Sequence, residues 1–352
     1  MHSARGRVAV TVIILVLVLA AGAWAGFSWL QHEFTSPGPL QTPQRLQVEP
    51  GTSVRTALVR LELRGVVRNA RAVQLYLRLL NLHPRIEVGT YEIPAKASPA
   101  EIITMFDQGK VLLAQLTVVE GTTFSDLRRA LDHDPAVTHT LRGKTDAQVM
   151  EAIGHAGEFP EGRFFPDTYR FAEKSSDAQI LNVAYESMQR ALAAAWEQRG
   201  ANLPFDTPYQ ALTLASIIEK ETGLPAERPR IAGVFVSRLR AGMRLQSDPT
   251  VIYGLGAGYD GNIHTRDLST DTPYNSYTRG GLPPTPIALP GRESLIAAVH
   301  PQESGELYFV ATGEGGHHFS RTLEEHNTAV RSYLEKLRSQ QQAAGHASAS
   351  HP

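Results

Sequence analysis

A chain of 352 residues has room for two or three domains and a substantial core. Its 42% hydrophobic and 20% charged residues and its net charge of −1 describe an ordinary globular protein, with no electrostatic argument for a nucleic-acid partner. Cysteine is absent, which excludes disulfides, thiolate metal sites and a cysteine nucleophile.

The first predicted element is residues 8–30, an uncharged run of 23 residues that is long enough to cross a bilayer as a helix. Arg5 and Arg7 precede it, so residues 1–7 should stay cytoplasmic and everything after Leu30 should cross. Trp24 and Trp29 suit the outer interface. The alternative is a cleaved signal peptide, because Ala23-Trp24-Ala25 has the small-x-small form. The apolar run continues through that point, which argues for an uncleaved anchor. Residues 31–45 are Pro-rich and polar and read as a linker.

Residues 46–112 read as a small domain. The segment Val48-Glu49-Pro50-Gly51-Thr52 opens into an amphipathic helix, SVRTALVRLELRG. A second helix near Ala70–Leu80 and a strand around Glu87–Ile93 follow. SPAEIITMFDQG supplies a third helix, with Ser98 and Glu101 as its capping box. The opening then recurs as Val118-Val119-Glu120-Gly121-Thr122-Thr123-Phe124, again feeding a helix, SDLRRALD. Residues 113–338 thus read as a larger second domain begun by the same strand-turn-helix device. It continues through the aromatic, turn-rich EGRFFPDTY of 161–169 and a long helix from Asp177 to about Arg199.

The central element is Thr207–Gly223, TPYQALTLASIIEKETG, a helix with both ends written in. Thr207 and Gln210 form a capping box and Pro208 takes the first helical position. Gly223 is the expected left-handed residue after the helix, and Pro225 stops continuation. ERPRIAGVFVSRLRAG reads as the next helix. From Met243 to Pro290 the helical pattern fades, and so long an irregular stretch in a compact domain is usually a binding or catalytic surface. A helix (GRESLIAAVHP), a strand (ELYFVATG) and a final helix close the domain. The tail, residues 339–352, lacks apolar periodicity and is expected to be disordered.

Several chemistries can be set aside. His264, His300, His317, His318 and His326 show no zinc-helix spacing, and no Gly-x-Ser-x-Gly elbow occurs. No metal or cofactor is expected. Carboxylate chemistry remains: Glu219 and Glu221 sit in the last turn of the central helix, where the macrodipole disfavours acids. Such a breach of a local stability rule tends to mark function. At roughly 100° per residue, Glu219 lines up with Ala215 and Leu212 on the apolar face, while Glu221 falls on the flank below Leu214 and Ile217. Glu219 is therefore the expected half-buried carboxyl. Glu221, Gln246, Asp248, Tyr274, Asn275 and Tyr277 supply hydrogen-bonding and stacking groups suited to a carbohydrate cleft.

Together LASIIEKETG, RLRAGMRLQSDPTVIYG, TPYNSYTRGGLPPTPIALPG, AAVHP, LYFVATGEGGHHFSRTLEEHN and EGRFFPDTY closely resemble the endolytic murein transglycosylases, the MltG or YceG-like family, over about residues 45–335. The resemblance implies an α+β protein with an N-terminal transmembrane helix, a small LysM-like α/β subdomain and a larger α+β catalytic domain. It implies residence in the inner membrane, with peptidoglycan glycan strands as substrate and peptidoglycan synthases (penicillin-binding proteins) as candidate partners. The implied reaction cleaves the MurNAc–GlcNAc bond inside a strand without water and leaves a 1,6-anhydro-MurNAc end. The family's catalytic glutamate carries over to Glu219, the first acid of Glu-Lys-Glu.

One carboxyl suffices for that reaction, because the attacking group is the sugar's own C6 hydroxyl and the intramolecular geometry supplies its effective concentration. The acid must hold a proton near neutral pH, a state favoured by burial and by neighbouring acids such as Asp248. Two other readings stay open on the sequence. One is a hydrolytic muramidase with Glu219 and Asp248 as its carboxylate pair. The other is a non-catalytic cell-wall-binding scaffold.

Overall fold

The computed structural model describes residues 2–49 and 51–349; Pro50 of the first turn and the last three residues of the tail lie outside them. The protein is a mixed α+β chain in two compact units. One unit holds residues up to Ala114 together with Arg170–Ser175, and the other holds Gln115–Tyr169 and Ser176 onward.

The first unit opens with helix α1 (His2–Thr35), whose apolar stretch is exposed from Val8 to Phe27. It runs five residues into the expected linker, which leaves 36–43 as the irregular connection. Strand β1 (Gln44–Val48) follows, then α2 (Val54–Leu63), α3 (Ala70–Leu79), β2 (Gly89–Ile93) and α4 (Pro99–Asp107). β1 and β2 pair antiparallel, Leu46 opposite Tyr91 and Val48 opposite Gly89. The strand alternation sends Leu46, Val48, Tyr91 and Ile93 into a core completed by Leu58 and Leu61 of α2, Val73 and Leu77 of α3, and Ile102 and Phe106 of α4. The Ser98–Glu101 capping box forms as the sequence predicts.

β3 (Leu113–Thr117) pairs with β4 (Thr168–Ala172) in a two-stranded sheet. The second unit carries α5 (Phe124–His133), α6 (Asp146–Ala152), α7 (Asp177–Glu197), α8 (Pro208–Glu221) and α9 (Arg228–Arg240). After these come α10 (Asp248–Leu255), α11 (Thr265–Ser269), α12 (Arg292–Val299), the hairpin β5 (Tyr308–Ala311) and β6 (His317–Ser320), and α13 (Leu323–Ala349). α13 enters the 339–352 segment, whose Gln and Ala residues are good helix formers that need no apolar face to extend an existing helix.

Helix α8 is the centre of this unit. Its eight residues from Ala211 to Ile218 are all buried, packed by α7, α9, α10 and α12. The polar members of that run are satisfied locally. Thr213 donates to the Tyr209 carbonyl, and Ser216 donates to the Thr213 carbonyl while accepting from the Ile287 N–H. The Thr207–Gln210 capping box and Pro208 open the helix as expected. Its exit differs from expectation, because Gly223 is not left-handed. The cap is Thr222 in an extended conformation, whose hydroxyl accepts from the Leu224 N–H and so turns the chain without glycine's freedom. The 243–290 stretch also holds more helix than its pattern suggests, since Pro249 near the start of α10 is pre-set for a helical first turn.

Close packing around α8 depends on Gly233 of α9. A methyl group there would lie 2.0 Å from the carbonyl oxygen of Gln302, a backbone atom that cannot rotate aside. Alanine gains about 1 kcal/mol in helix propensity, whereas overpacking typically costs about 1–3 kcal/mol and more against backbone. We expect Gly233→Ala to lower the chemical-denaturation midpoint. A variant as stable as the parent would show that the two backbones part freely.

Candidate active site

The two acids at the end of α8 leave the core in different directions and meet different partners. Glu219 has a side chain only 5% exposed, beside the Arg228 guanidinium, itself 8% exposed. Arg228 donates to its Oε1 at 3.0 Å, and the Gly291 N–H donates to its Oε2 at 2.8 Å. The Glu120 carboxylate lies 3.8 Å from the same guanidinium, and burial followed by the nearby Glu219 charge pushes Glu120 above its ordinary value. Lys220, between the two acids, donates to the Gly121 carbonyl. The Val118–Phe124 turn therefore latches the end of α8.

Glu221 has no such cation contact. Its Oε1 accepts from the Ser247 hydroxyl at 2.5 Å. Burial pushes its carboxyl up to about 7, against the Ser247 hydrogen bond and with a further push from Asp248. The face argument expected Glu219 to be enclosed, and it is; Glu221, on the flank, carries a carboxyl raised by its own burial. Because α8 is buried all round, helical phase does not decide which acid is enclosed.

Glu221 lines a cleft of about 450 Å³ together with Arg238, Gln246, Asp248, Tyr277 and residues of β5 and α13. Ser247 and Asp248 begin α10, so that helix brings a hydroxyl and an acid together at the cleft. The Tyr277 hydroxyl donates to Asp248 Oδ1 at 2.6 Å; burial first, then this carboxylate, pushes the phenol well above its usual value. Gln246 takes a left-handed backbone, φ +53°, with its N–H on the Ser276 carbonyl and its side-chain oxygen 3.4 Å from Arg238 Nη1. Four of the residues read from the sequence thus share one cleft: Glu221, Gln246, Asp248 and Tyr277.

The other two substrate-binding candidates are placed elsewhere. Asn275 is 1% exposed. Its Nδ2 donates to the carbonyls of Asp267, Leu268 and Thr270, and its Oδ1 accepts from the Tyr277 N–H. Its polar groups hold the loop that presents Tyr277. Tyr274 bonds Thr285 and stands edge-on to Tyr253, 4.8 Å between ring centroids.

Several groups at the site gave no usable sequence signal. Arg238 looks like a surface residue of α9 but is buried, donating to the Leu307 and Leu245 carbonyls with its guanidinium over the Tyr308 ring. His326 lines the same cleft, stacked on Tyr308, and burial followed by Arg238 keeps it below its ordinary value. His317, also at the cleft, is held by Glu227 at 2.8 Å. Glu161 of the EGRFFPDTY segment is a second raised carboxyl, pushed to about 7 by burial while accepting from the Phe124 N–H and the Tyr253 hydroxyl. Val310 and Ala311 also border an open groove of about 780 Å³ between the hairpin and α13, so the cleft continues along the surface.

For a metal, Asp132, His139 and Asp177 bring three potential ligand atoms within 4.8 Å of one another. Asp177 there accepts from the N–H groups of Thr140, Leu141 and Ala178 and from the Thr140 hydroxyl, so its oxygens already serve the backbone.

The model of the YceG-like family matches residues 46–332. The chain belongs to this family. The resemblance drawn from the motifs is borne out. A protein of Bacillus subtilis named endolytic murein transglycosylase is 29% identical over 311 residues, covering 84% of this chain and 86% of that relative. A Streptococcus pneumoniae protein of the same name is 24% identical over 357 residues, and the alignment spans 63% of its length. The crystal structure of a yceG-like protein from Listeria monocytogenes is similar to this YceG-like chain with a TM-score of 0.50 at 29% identity, covering 81% of this chain and 98% of that one.

The two acids predict opposite stability effects. A carboxyl whose folded value is raised stabilises the fold below its unfolded value near 4.5, and that contribution is lost as pH rises through about 7. The rise corresponds to about 3 kcal/mol. Glu221→Gln should therefore match the parent at pH 5 and be more stable by roughly that order at pH 8. Glu219→Gln leaves Arg228 short of its closest anion and should be less stable at both pH values by about 1–3 kcal/mol. Thermal unfolding at the two pH values checks both signs.

Proposed function

We propose that this chain is a membrane-anchored lytic transglycosylase that cuts peptidoglycan within its glycan strands, with Glu221 as the proton carrier. The observation that carries this reading is the Glu221 carboxyl, raised to about 7 inside a cleft of hydroxyl, amide and aromatic groups. The names of the Bacillus and Streptococcus relatives support the reaction class.

In the proposed reaction, protonated Glu221 gives its proton to the oxygen between MurNAc and GlcNAc as that C–O bond breaks. The MurNAc C6 hydroxyl then bonds to C1, and the Glu221 carboxylate takes the hydroxyl proton. Atoms balance without water, and the products are a free GlcNAc hydroxyl and a 1,6-anhydro-MurNAc end. Ser247 holds the carboxyl in place. Arg238 favours the carboxylate formed between the two proton transfers, and Gln246, Asp248 and Tyr277 bind sugar hydroxyls. Glu219 is a positioning residue in this scheme: its bonds to Arg228 and Gly291 fix the helix end from which Glu221 projects. The groove beyond Val310 and Ala311 gives a strand room to continue on one side of the scissile bond, as cleavage within a strand requires.

The exposed apolar length of α1 supports a single membrane span, and Arg5 and Arg7 favour a cytoplasmic N-terminus. The small unit is read as a LysM-like glycan-holding module. A reporter fused after Ser339 should be active only when exported, and cytoplasmic activity would reverse the topology.

Mass spectrometry of glycan strands digested by the purified full chain tests the chemistry. Anhydro ends are expected; reducing ends would mean a muramidase, and no product a scaffold. Glu221→Gln should lower anhydro-product release by about 10²–10⁴-fold or more, since one residue serves both proton transfers. Glu219→Gln should keep measurable turnover at temperatures where it is folded. A folded, active Glu221→Gln beside a folded, inactive Glu219→Gln would return the proton to Glu219.

A further inference from the structure

Helix α3 has an unusual surface for a soluble unit. Its inner side is conventional: Val73 and Leu77 enter the core, while Ala72 and Tyr76 meet α1. The Tyr76 ring stacks on Phe34 at 4.6 Å and lies 5.9 Å from Phe27, and Leu30 is buried in the same cluster. α3 is thereby fixed beside residues 27–34 of α1, where the 23-residue uncharged run ends. At about 1.5 Å per residue that run is slightly longer than a hydrocarbon core, so its end lies at the membrane interface. Trp24 and Trp29, both exposed, mark the same level.

The outer side of α3 carries leucine where water-facing residues are expected. Leu75 and Leu79 are 48% and 58% exposed, and Leu80 and Leu82 prolong the patch past the helix end. At roughly 100° per residue, Leu75 and Leu79 fall between the Ala72–Tyr76 stripe that meets α1 and a stripe made by Arg71 and Arg78. The 22 residues from Arg64 to Arg85 hold five arginines and no acid, in a chain of net charge −1. None of the guanidinium groups of Arg68, Arg71, Arg78 and Arg85 has a carboxylate within 4.0 Å among the described residues, although the Arg85 backbone N–H donates to Asp107. Single exposed leucines are ordinary; a contiguous patch framed by unpaired arginines is the pattern of a helix lying in a headgroup layer.

We propose that the leucine face of α3, framed by Arg68, Arg71, Arg78 and Arg85, lies in the headgroup layer of the membrane that α1 spans and binds anionic phospholipid there. This rests on the reading of α1 as a membrane span. Continuity with α1 selects the occupant: the tether holds the patch at the interface, so the leucines need only enter a surface already beside them. The arginines complement an anionic leaflet, each contributing about fivefold to partition. The consequence is a small unit seated on the membrane surface, with its attachment to α1 and its lipid contact on one continuous face.

The absence of cysteine gives a direct test. The full chain is labelled at Leu79→Cys with an environment-sensitive fluorophore and reconstituted into phosphatidylcholine vesicles with or without phosphatidylglycerol. A Val16→Cys label reports the span itself. Expected is a blue-shifted Leu79 label quenched by lipids spin-labelled near the headgroup, and more strongly with phosphatidylglycerol. Adding Arg71→Glu and Arg78→Glu should lower the bound-to-free ratio by about tenfold or more in the anionic vesicles. A water-like, unquenched Leu79 label beside a deeply buried Val16 label overturns the proposal while leaving the span intact. A blue-shifted Leu79 label that lipid quenchers do not reach overturns it too, since a second protein surface then covers the patch. A Val16 label outside the acyl region overturns the span reading, and this proposal with it.

Discussion

The second unit depends on the complete burial of the middle of α8. A helix buried on one face has a wet side from which a charged residue can leave. α8 has none from Ala211 to Ile218, so its polar residues must be satisfied where they stand and its acids are confined to the final turn. There the helix's own unpaired carbonyls already concentrate negative charge, and adding two carboxylates is costly unless each finds compensation. One finds a cation, Arg228, from the next helix. The other finds a single hydroxyl, Ser247, and holds its proton instead. A poised acid and a rigid support thus come from one turn of helix, separated by the partners the fold sets against each side.

The parts of this arrangement that depend on neighbouring residues were legible in the sequence. Capping boxes at Ser98 and Thr207 join residues three apart, and the structure contains both. The motifs likewise identified the YceG-like family to which the chain belongs. What the sequence did not disclose was contact at long range. Glu219 meets Gly291 across 72 residues, and nothing local at either position announces the bond. Arg238 reads as the solvent-facing end of an amphipathic helix, yet it is enclosed by carbonyls from two later segments. Asn275 and Tyr274 were chosen for their chemistry, and their partners turn out to be the loop itself and Thr285. Helical phase chose Glu219 as the enclosed acid and Glu219 is enclosed, but it did not foresee that Glu221 would be enclosed too. Helical phase ranks faces only when one of them is wet.

Two carboxyls raised to about 7, Glu221 and Glu161, stand in one unit with different surroundings. Glu221 opens on a cleft, where its proton has somewhere to go. Glu161 is closed in by the start of α5 and by Tyr253 of α10, so its proton serves packing. Of the two, only Glu221 joins a raised carboxyl to an open cleft. Because both groups lose protons over the same range, a pH profile of the second unit's stability mixes the two.

The Asn275 side chain binds backbone alone: three carbonyls and one N–H of the loop that ends in Tyr277. A support of that kind is indifferent to the side chains it encircles. The exposed positions of residues 265–270 can change while the loop keeps its path, because the Asn275 bonds do not involve what those positions carry. Asp271 is different, since its carboxylate accepts from Thr278 and Arg279. The surface of that loop can thus change while Tyr277 keeps its place at the cleft. Replacing the asparagine would release all four of its side-chain bonds at once.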